Sequence, residues 1–526
     1  MSIAQVSRFV CVFRQAVGNL RRAVKNRIPA AIPLPKMQNT AKIALAIGRG
    51  MRYNKVRHAA AKGNIMETVR RNKEIDMLNG PIWNKLPRFA LPVAATAVLS
   101  QLFNASDVAV VGNFTGELRN VSVAAVGANS AIIGLFVNLF VGISLGVNVV
   151  IANAIGRGER ETVHRATHTS VLSALLLGIA VTVFGELLAP GFLSLLRTPE
   201  DVFPYALLYL RIYLLGAPVI LLYNFEAAIF RSAGDTRTPL LALTFSGVLN
   251  VLLNLFFVAV LRMTVEGVAI ATVLSNAVSA AILYSRLRKH GGDIHLEPKQ
   301  LRIHRRVLGR ILRIGVPAGV QSAMFAVSNI VIQAAVNALG TTVMAASSAA
   351  YNVEVFAYYT MNGFTQACTT FVGQNYGAGQ PARCKKTLKL SLLEASVALG
   401  TVIALMLVTG RFLLSLFNRD PAVVELGYSR LVLVFIAYPF TMLYEMFSGY
   451  LRGFGHSLVP AVLTVLGICG VRIAWVLTAF PQNPTFNTIM YAYPISLFAT
   501  ALFLSVAALC YHPASRLEKA KQAERA

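Results

Sequence analysis

Long apolar runs dominate the chain, separated by short polar ones. Stretches near the ~20 residues that cross a hydrocarbon layer as a helix recur at about 87–112, 121–155, 168–190, 204–230, 238–261, 267–288, 311–337, 341–373, 387–416, 423–451, 459–480 and 488–511. This pattern predicts an all-α integral membrane protein with twelve transmembrane helices. The first run carries one carboxylate, Asp107, near its far end. An unpaired Asp in hydrocarbon costs roughly 2.5–3.5 kcal/mol on insertion scales, so it is expected to face a protein interior or a watery cavity. The alternative is a solvated cap at the outer interface. Gln101 and Asn104 precede it at three-residue spacing, giving the segment a polar side, and Pro92 sits early enough to bend the helix.

Charge turns this pattern into a topology. The sequence is 56% hydrophobic, 13% charged and carries +27. The basic residues cluster after even-numbered runs: Arg157, Arg160 and Arg165; Arg231 and Arg237; a dense group from Arg286 to Arg306; Arg383, Lys385 and Lys386; and Arg452. The excess therefore reads as positive-inside sorting, with both termini cytoplasmic in a plasma (inner) membrane, and not as nucleic-acid binding. Residues 1–65 hold thirteen Lys/Arg and no acid. They read as a disordered or surface-lying basic arm, an organellar transit peptide, or an over-extended reading frame with the true start at Met66, the last being preferred. Cys11, Cys368, Cys384, Cys469 and Cys510 show no metal-like spacing and read as free thiols.

The chain repeats itself. At an offset of 221, Ala124, Ala125, Gly142, Gly156, Gly158, Pro218, Leu222, Tyr223, Arg231, Gly234 and Pro239 meet identical residues from Ala345 to Pro460; in the first run the offset is 225, matching Pro92 to Pro317 and Asn104 to Asn329. Duplication gives two six-helix bundles in the same orientation with a cavity between them. The expected organisation is a basic extension (1–72), an N-terminal bundle (73–288), a basic cytoplasmic linker (289–310), a C-terminal bundle (311–512) and a cytoplasmic tail (513–526). The repeat fails at Asp107, Asn250 and Asn254, which meet Ile332, Val471 and Trp475, so the first half holds a polar site that the second lacks.

ASDVAVVGNFTG with AAVGANSAIIGL, RSAGDTRTPL at 231–240, NVLLN at 250–254 and FVGQNYGAG at 371–379 together resemble the multidrug and toxic-compound extrusion (MATE) transporters over roughly 75–511. The resemblance implies alternating access of two bundles and export of amphipathic, often cationic organic compounds by antiport. It also makes Asp107 the ion-coupling residue, supported by Asn250 and by position 254. The family's second acid is replaced there by Asn254, which favours a proton over a sodium ion. Residue spacing agrees: Asn250 and Asn254 are four apart, on one helical face, and their amides can hydrogen-bond a carboxyl in either protonation state. The alternative is that the two amides only bridge helices.

Other candidates for the substrate cavity are Gln101, Asn104, Asn329, Tyr351, Glu354, Tyr358, Met361, Glu445 and Arg472. Arg472 is the most enclosed cation, and Glu354 or Glu445 is its expected partner, in either a structural pair or a substrate-linked network. Tyr351, Tyr358, Tyr359 and Met361 read as a wall for flat cations or as packing. A lipid-linked sugar flippase is the competing transporter. It would need several basic residues in the cavity, whereas Arg472 is the chief one legible in a central run. No HExxH, CxxC pair or phosphate-binding GxxxxGK[ST] loop points to an enzyme, a cofactor or a bound metal. The expected partners are the bilayer and a small organic substrate, with the protein monomeric.

Overall fold

A computed structural model describes residues 74–523, and Ile75–Ala526 forms one compact unit. The basic arm and its alternative start at Met66 lie outside the described residues, as does Cys11.

The N-terminal half contains α1 (Leu86–Phe114), α2 (Arg119–Arg157), α3 (Arg160–Leu195), a broken α4 (Phe203–Leu215 and Ala217–Ser232), α5 (Arg237–Asn254, continued by a π-helical turn over Leu255–Val260) and α6 (Val265–Arg288). The C-terminal half contains α7 (Arg305–Asn337), α8 (Thr341–Gly377), α9 (Pro381–Ser415), α10 (Pro421–Gly453), α11 (Leu458–Thr464, a π turn over Val465–Gly470, then Val471–Gln482) and α12 (Phe486–Tyr511). A short helix, α13 (Pro513–Ala523), follows. Ten of these helices are long and apolar enough to span a membrane, and the α4 pair, bent by 49°, makes an eleventh. The twelfth, α8, is 37 residues long but too polar to qualify by composition, because its polar side chains line an internal cavity. Large apolar side chains such as Val408, 86% exposed, cover the outer faces, as lipid contact requires.

Two details depart from the sequence reading. The linker is shorter than 289–310, since α7 begins at Arg305, and it is folded onto α3: His164 Nε2 lies 2.8 Å from Gln300 Oε1, and His304 N donates to Thr169 Oγ1 at 3.1 Å. Its own Ile294 and Leu296 are buried. The fourth span is broken at Gly216, just before Pro218, whose ring cannot continue the hydrogen-bond ladder. Its counterpart α10 has Ala437 at the position of Gly216 and runs on through Pro439 as one helix.

The repeated glycines do the same work in both halves. Gly234 and Gly455 adopt left-handed φ of 88° and 86°, terminating α4 and α10 in a conformation that a Cβ disfavours. Gly142 and Gly363 permit close helix approach: a Cβ at Gly142 would sit 2.3 Å from Gly319 Cα on α7, and one at Gly363 would sit 2.5 Å from Ala90 O on α1. Gly156 and Gly377 meet α8 and α2 as tightly, at 2.0 Å from Gln374 O and 2.1 Å from Asn153 O. The two halves thus join by reciprocal contacts, α2 on α7 and α8 on α1, as a two-fold axis along the membrane normal demands.

Polar groups close the same end. Gln374 Nε2 donates to Ser232 O at 2.7 Å, and Thr370 Oγ1 donates to Asn148 Oδ1 at 3.0 Å. The segment before α1 bridges both halves, with Ile75 N donating to Gly234 O at 3.2 Å and Arg383 Nη2 donating to Met77 O at 2.8 Å.

Replacing Gly142 by Val should lower the melting temperature of the purified protein measurably, because overpacking a close helix contact costs about 1–3 kcal/mol. Gly127→Ala, with nothing within 4 Å of the added Cβ, should leave it unchanged. Thermal unfolding followed by size-exclusion fluorescence compares the two, and equal melting temperatures would refute the close-contact assignment.

Candidate functional site

Three helices of the N-terminal half converge on Asp107, which is 6% exposed. Its Oδ1 accepts from Asn254 Nδ2 at 2.6 Å and its Oδ2 from Thr272 Oγ1 at 3.2 Å. Asn254 Nδ2 also reaches Asn250 Oδ1 at 3.3 Å, and Asn250 Nδ2 donates to Thr272 Oγ1 at 3.3 Å. All four side chains are buried. Asp107 is therefore an interior group and not an outer cap, and the two Asn residues contact it as well as each other. The π turn directly after Asn254 widens α5 at this point; such turns occur often at functional sites.

Sequence reasoning missed Thr272. A hydroxyl in the middle of an apolar run was the available signal, but only the fold shows that α6 turns it toward α1.

The donors around Asp107 suit a carboxyl that exchanges a proton. Both oxygens already accept hydrogen bonds, and rotation of the Asn254 amide would present its otherwise unpartnered Oδ1 to a protonated acid. Among the described residues no group of three or more His, Cys, Asp or Glu could hold a metal ion.

A cavity of 580 Å³ lies between the halves, and Asp107 does not line it. Val93, Thr96 and Ser100 of α1 do, and Asp107 follows Ser100 by seven residues, about 10 Å farther along the helix. Asn329, Tyr351, Glu354, Tyr358, Glu445 and Arg472 all line the cavity, as does Tyr359. Three candidates do not. Gln101 is one contact removed, accepting from Tyr359 OH at 3.3 Å. Asn104 is exposed; it shares the angular face of Val93, Ala97 and Ser100 but lies one turn beyond Ser100, the last α1 residue that lines the cavity. Met361 is fully buried in the C-half core with Ala357, Phe364 and Cys368, the face of α8 turned away from the cavity.

The expected acidic partner of Arg472 is also corrected. Glu354 Oε2 instead pairs with Arg430 Nη2 at 3.2 Å, and Glu445 makes no ion pair among the described residues. Among the described residues no carboxylate pairs with Arg472. It donates to Ser496 Oγ at 3.1 Å and Asn329 Oδ1 at 3.3 Å, and lies 4.3 Å over the Tyr493 ring. Arg231 and Arg452 were read as loop charges, but both lie in the last turns of membrane helices and line the cavity. Their identity across the repeat was the signal that could have placed them there. Glu226, fully buried on α4 with neither oxygen partnered among the described residues, stays outside the cavity.

Comparison with known proteins agrees with this geometry. A family model described as MatE matches twice, over residues 92–256 and 317–477, one copy in each half. "Probable multidrug resistance protein YoeA" of Bacillus subtilis (strain 168) is 26% identical over 80% of this chain and 92% of its own length. A "FAD transporter" of Shewanella oneidensis is 26% identical over 66% of this chain and 77% of its own. The solved structure titled "Outward-facing conformation of a multidrug resistance MATE family transporter of the MOP superfamily" superposes with a TM-score of 0.78 at 21% identity, covering 85% of this chain and 99% of that one. With both halves matched and their helices in place, the chain belongs to the MatE family of membrane transporters.

Proposed function

We propose that the protein is a proton-coupled antiporter that exports amphipathic organic molecules through the cavity between its halves. The observation that carries this reading is the buried, donor-lined carboxyl of Asp107, at a position where the second half has Ile332. Relatives named for multidrug resistance and for FAD transport support an organic substrate. The two MatE matches support an exporter over a lipid-linked sugar flippase of a related fold, while the four arginines lining the cavity supply the basic residues that a flippase would also use.

Basic loops after even-numbered spans support cytoplasmic termini in a plasma membrane. On that orientation the end sealed by Gln374, Thr370 and the segment at Ile75–Met77 is cytoplasmic, and the halves stand in an outward-facing arrangement. The cycle then follows. Asp107 takes a proton from outside and its bonds to Asn254 and Thr272 rearrange. This biases α1, whose inner part lines the cavity, toward the inward-facing state, and the proton leaves to the cytoplasm before substrate is carried out.

In proteoliposomes, Asp107→Asn should abolish export driven by a pH gradient while leaving expression near normal, since the change keeps shape and removes the titratable group. Normal gradient-driven export by the variant would overturn the assignment. An imposed sodium gradient at fixed pH should drive little export; sodium-driven export insensitive to a protonophore would replace the proton by sodium.

Thr272→Val should reduce coupled transport several-fold, in keeping with about 0.5–1.5 kcal/mol for one hydrogen bond. Thr272→Ser should retain most of it. Initial rates under a fixed pH gradient decide, and equal rates for the Val and Ser variants would remove Thr272 from the site.

A further inference from the structure

The charged groups lining the cavity are four arginines and two glutamates: Arg231, Arg430, Arg452, Arg472, Glu354 and Glu445. The wall therefore carries a surplus of two positive charges, opposite to what a cation exporter needs. Glu354 is engaged by Arg430. Arg231, Arg452 and Arg472 pair with no carboxylate among the described residues; Arg452 Nη2 donates instead to Gln321 Oε1 at 2.7 Å. Arg472 is 1% exposed, yet its acceptors are a hydroxyl and an amide. A buried guanidinium balanced only by neutral groups is costly, and an anion entering beside it relieves that cost.

The duplication sharpens the contrast. At the 221-residue offset, Asn254 corresponds to Trp475 and Thr272 to Tyr493. Where the first half gathers an acid, an amide and a hydroxyl, the second sets Tyr493 between two arginines, with Arg472 4.3 Å and Arg430 5.6 Å from its ring. A π turn immediately precedes this segment of α11, as one follows Asn254 in α5. Phe325 adds an aromatic face 5.5 Å from Arg472.

We propose that the cavity takes an amphipathic organic anion, a carboxylate or phosphate carried on an aromatic body. Its acidic group is met by Arg472, Arg231 adds positive potential from the N-terminal half of the same cavity, and its ring lies on the tyrosine-rich wall of α8 and α12. The proposal rests on the exporter reading and names its substrate class, in place of the cations that the family resemblance suggests. It has a consequence for energetics. A proton moving in as a monovalent anion moves out carries charge in the same direction twice, so an inside-negative potential drives the exchange, whereas exchange for a monovalent cation is electroneutral.

The test is equilibrium binding to the purified full-length protein, with no gradient, using FMN, riboflavin and ethidium. FMN and riboflavin share one ring system and differ by a phosphate. Wild type should bind FMN at least about tenfold more tightly than riboflavin, as for a charge-assisted contact, and ethidium most weakly. Arg472→Gln should collapse the FMN preference to roughly twofold or less, and Arg472→Lys should keep part of it. Size-exclusion profiles and melting temperatures show whether each variant is folded. If Arg472→Gln does not fold, Arg231→Gln is expected to weaken FMN selectively in its place.

Failure of FMN to bind more tightly than riboflavin and ethidium overturns the proposal, as does a preference that survives both substitutions. Equal weakening of all three probes assigns Arg472 a purely structural role and also overturns it. Because binding needs no gradient, a protein that selects FMN but shows no proton-driven export would contradict the antiport reading alone, and the reverse result would contradict the anion reading alone.

Discussion

A carboxyl buried among three helices is the constraint that organises the N-terminal half. Asp107 stays in that environment because Asn254 and Thr272 give each of its oxygens a donor, and Asn250 ties those two donors together. Hydrogen bonding from amide and hydroxyl groups supports a charged or a neutral acid without a fixed counter-ion, so a proton can come and go without leaving a full unpaired charge on the partners. The second half, relieved of the acid by Ile332, fills the equivalent place with Trp475 and Tyr493 and carries arginine instead. One duplicated scaffold thereby holds two chemically distinct sites.

The distance between Asp107 and the cavity makes α1 the element that connects them. Along its length α1 first meets the other half, where Gly363 of α8 packs on Ala90 and Ala94. It then lines the cavity through Val93, Thr96 and Ser100, and it ends in the Asp107 cluster. A change in hydrogen bonding at one end is thus applied to the same helix that forms the contact between halves. Pro92 lies between those contacts, a place where a helix bends at little cost because its ladder is already interrupted. The reciprocal glycine contacts suit a rocking motion, since backbone surfaces without side chains can part and re-form without repacking.

Much of this was legible in the sequence. The duplication was visible because glycines at helix ends and close contacts cannot be exchanged for other residues, so Gly142, Gly156 and Gly234 persist with their partners after the apolar positions have diverged. The Asp107–Asn250–Asn254 cluster was legible because polar groups in apolar runs must find one another. Thr272 was not, since a hydroxyl satisfies itself on its own helix so often that it carries little signal. The pairing of Arg472 with an acid was a sound inference from desolvation, but it overlooked that Ser496, Asn329 and two aromatic rings together can hold a guanidinium. Arg231 and Arg452 misled for a different reason: at the end of a span, a basic residue that enters a cavity looks the same in sequence as one that snorkels to the surface. Asn104 shows that sharing a helix face is not enough: it lies on the side of α1 that carries Val93, Ala97 and Ser100, but a turn beyond the length that lines the cavity.

Proton release on substrate binding tests the central claim most directly. Purified protein in weakly buffered solution with a pH-sensitive dye is mixed with saturating FMN or ethidium, and protons released per protein are counted. If substrate and proton exclude each other through Asp107, wild type releases up to about one proton per protein with whichever probe it binds, near the pH at which Asp107 titrates, and Asp107→Asn binds the probe but releases none. Equal release by the two proteins, or saturating binding to wild type with no release at any pH, would contradict the account.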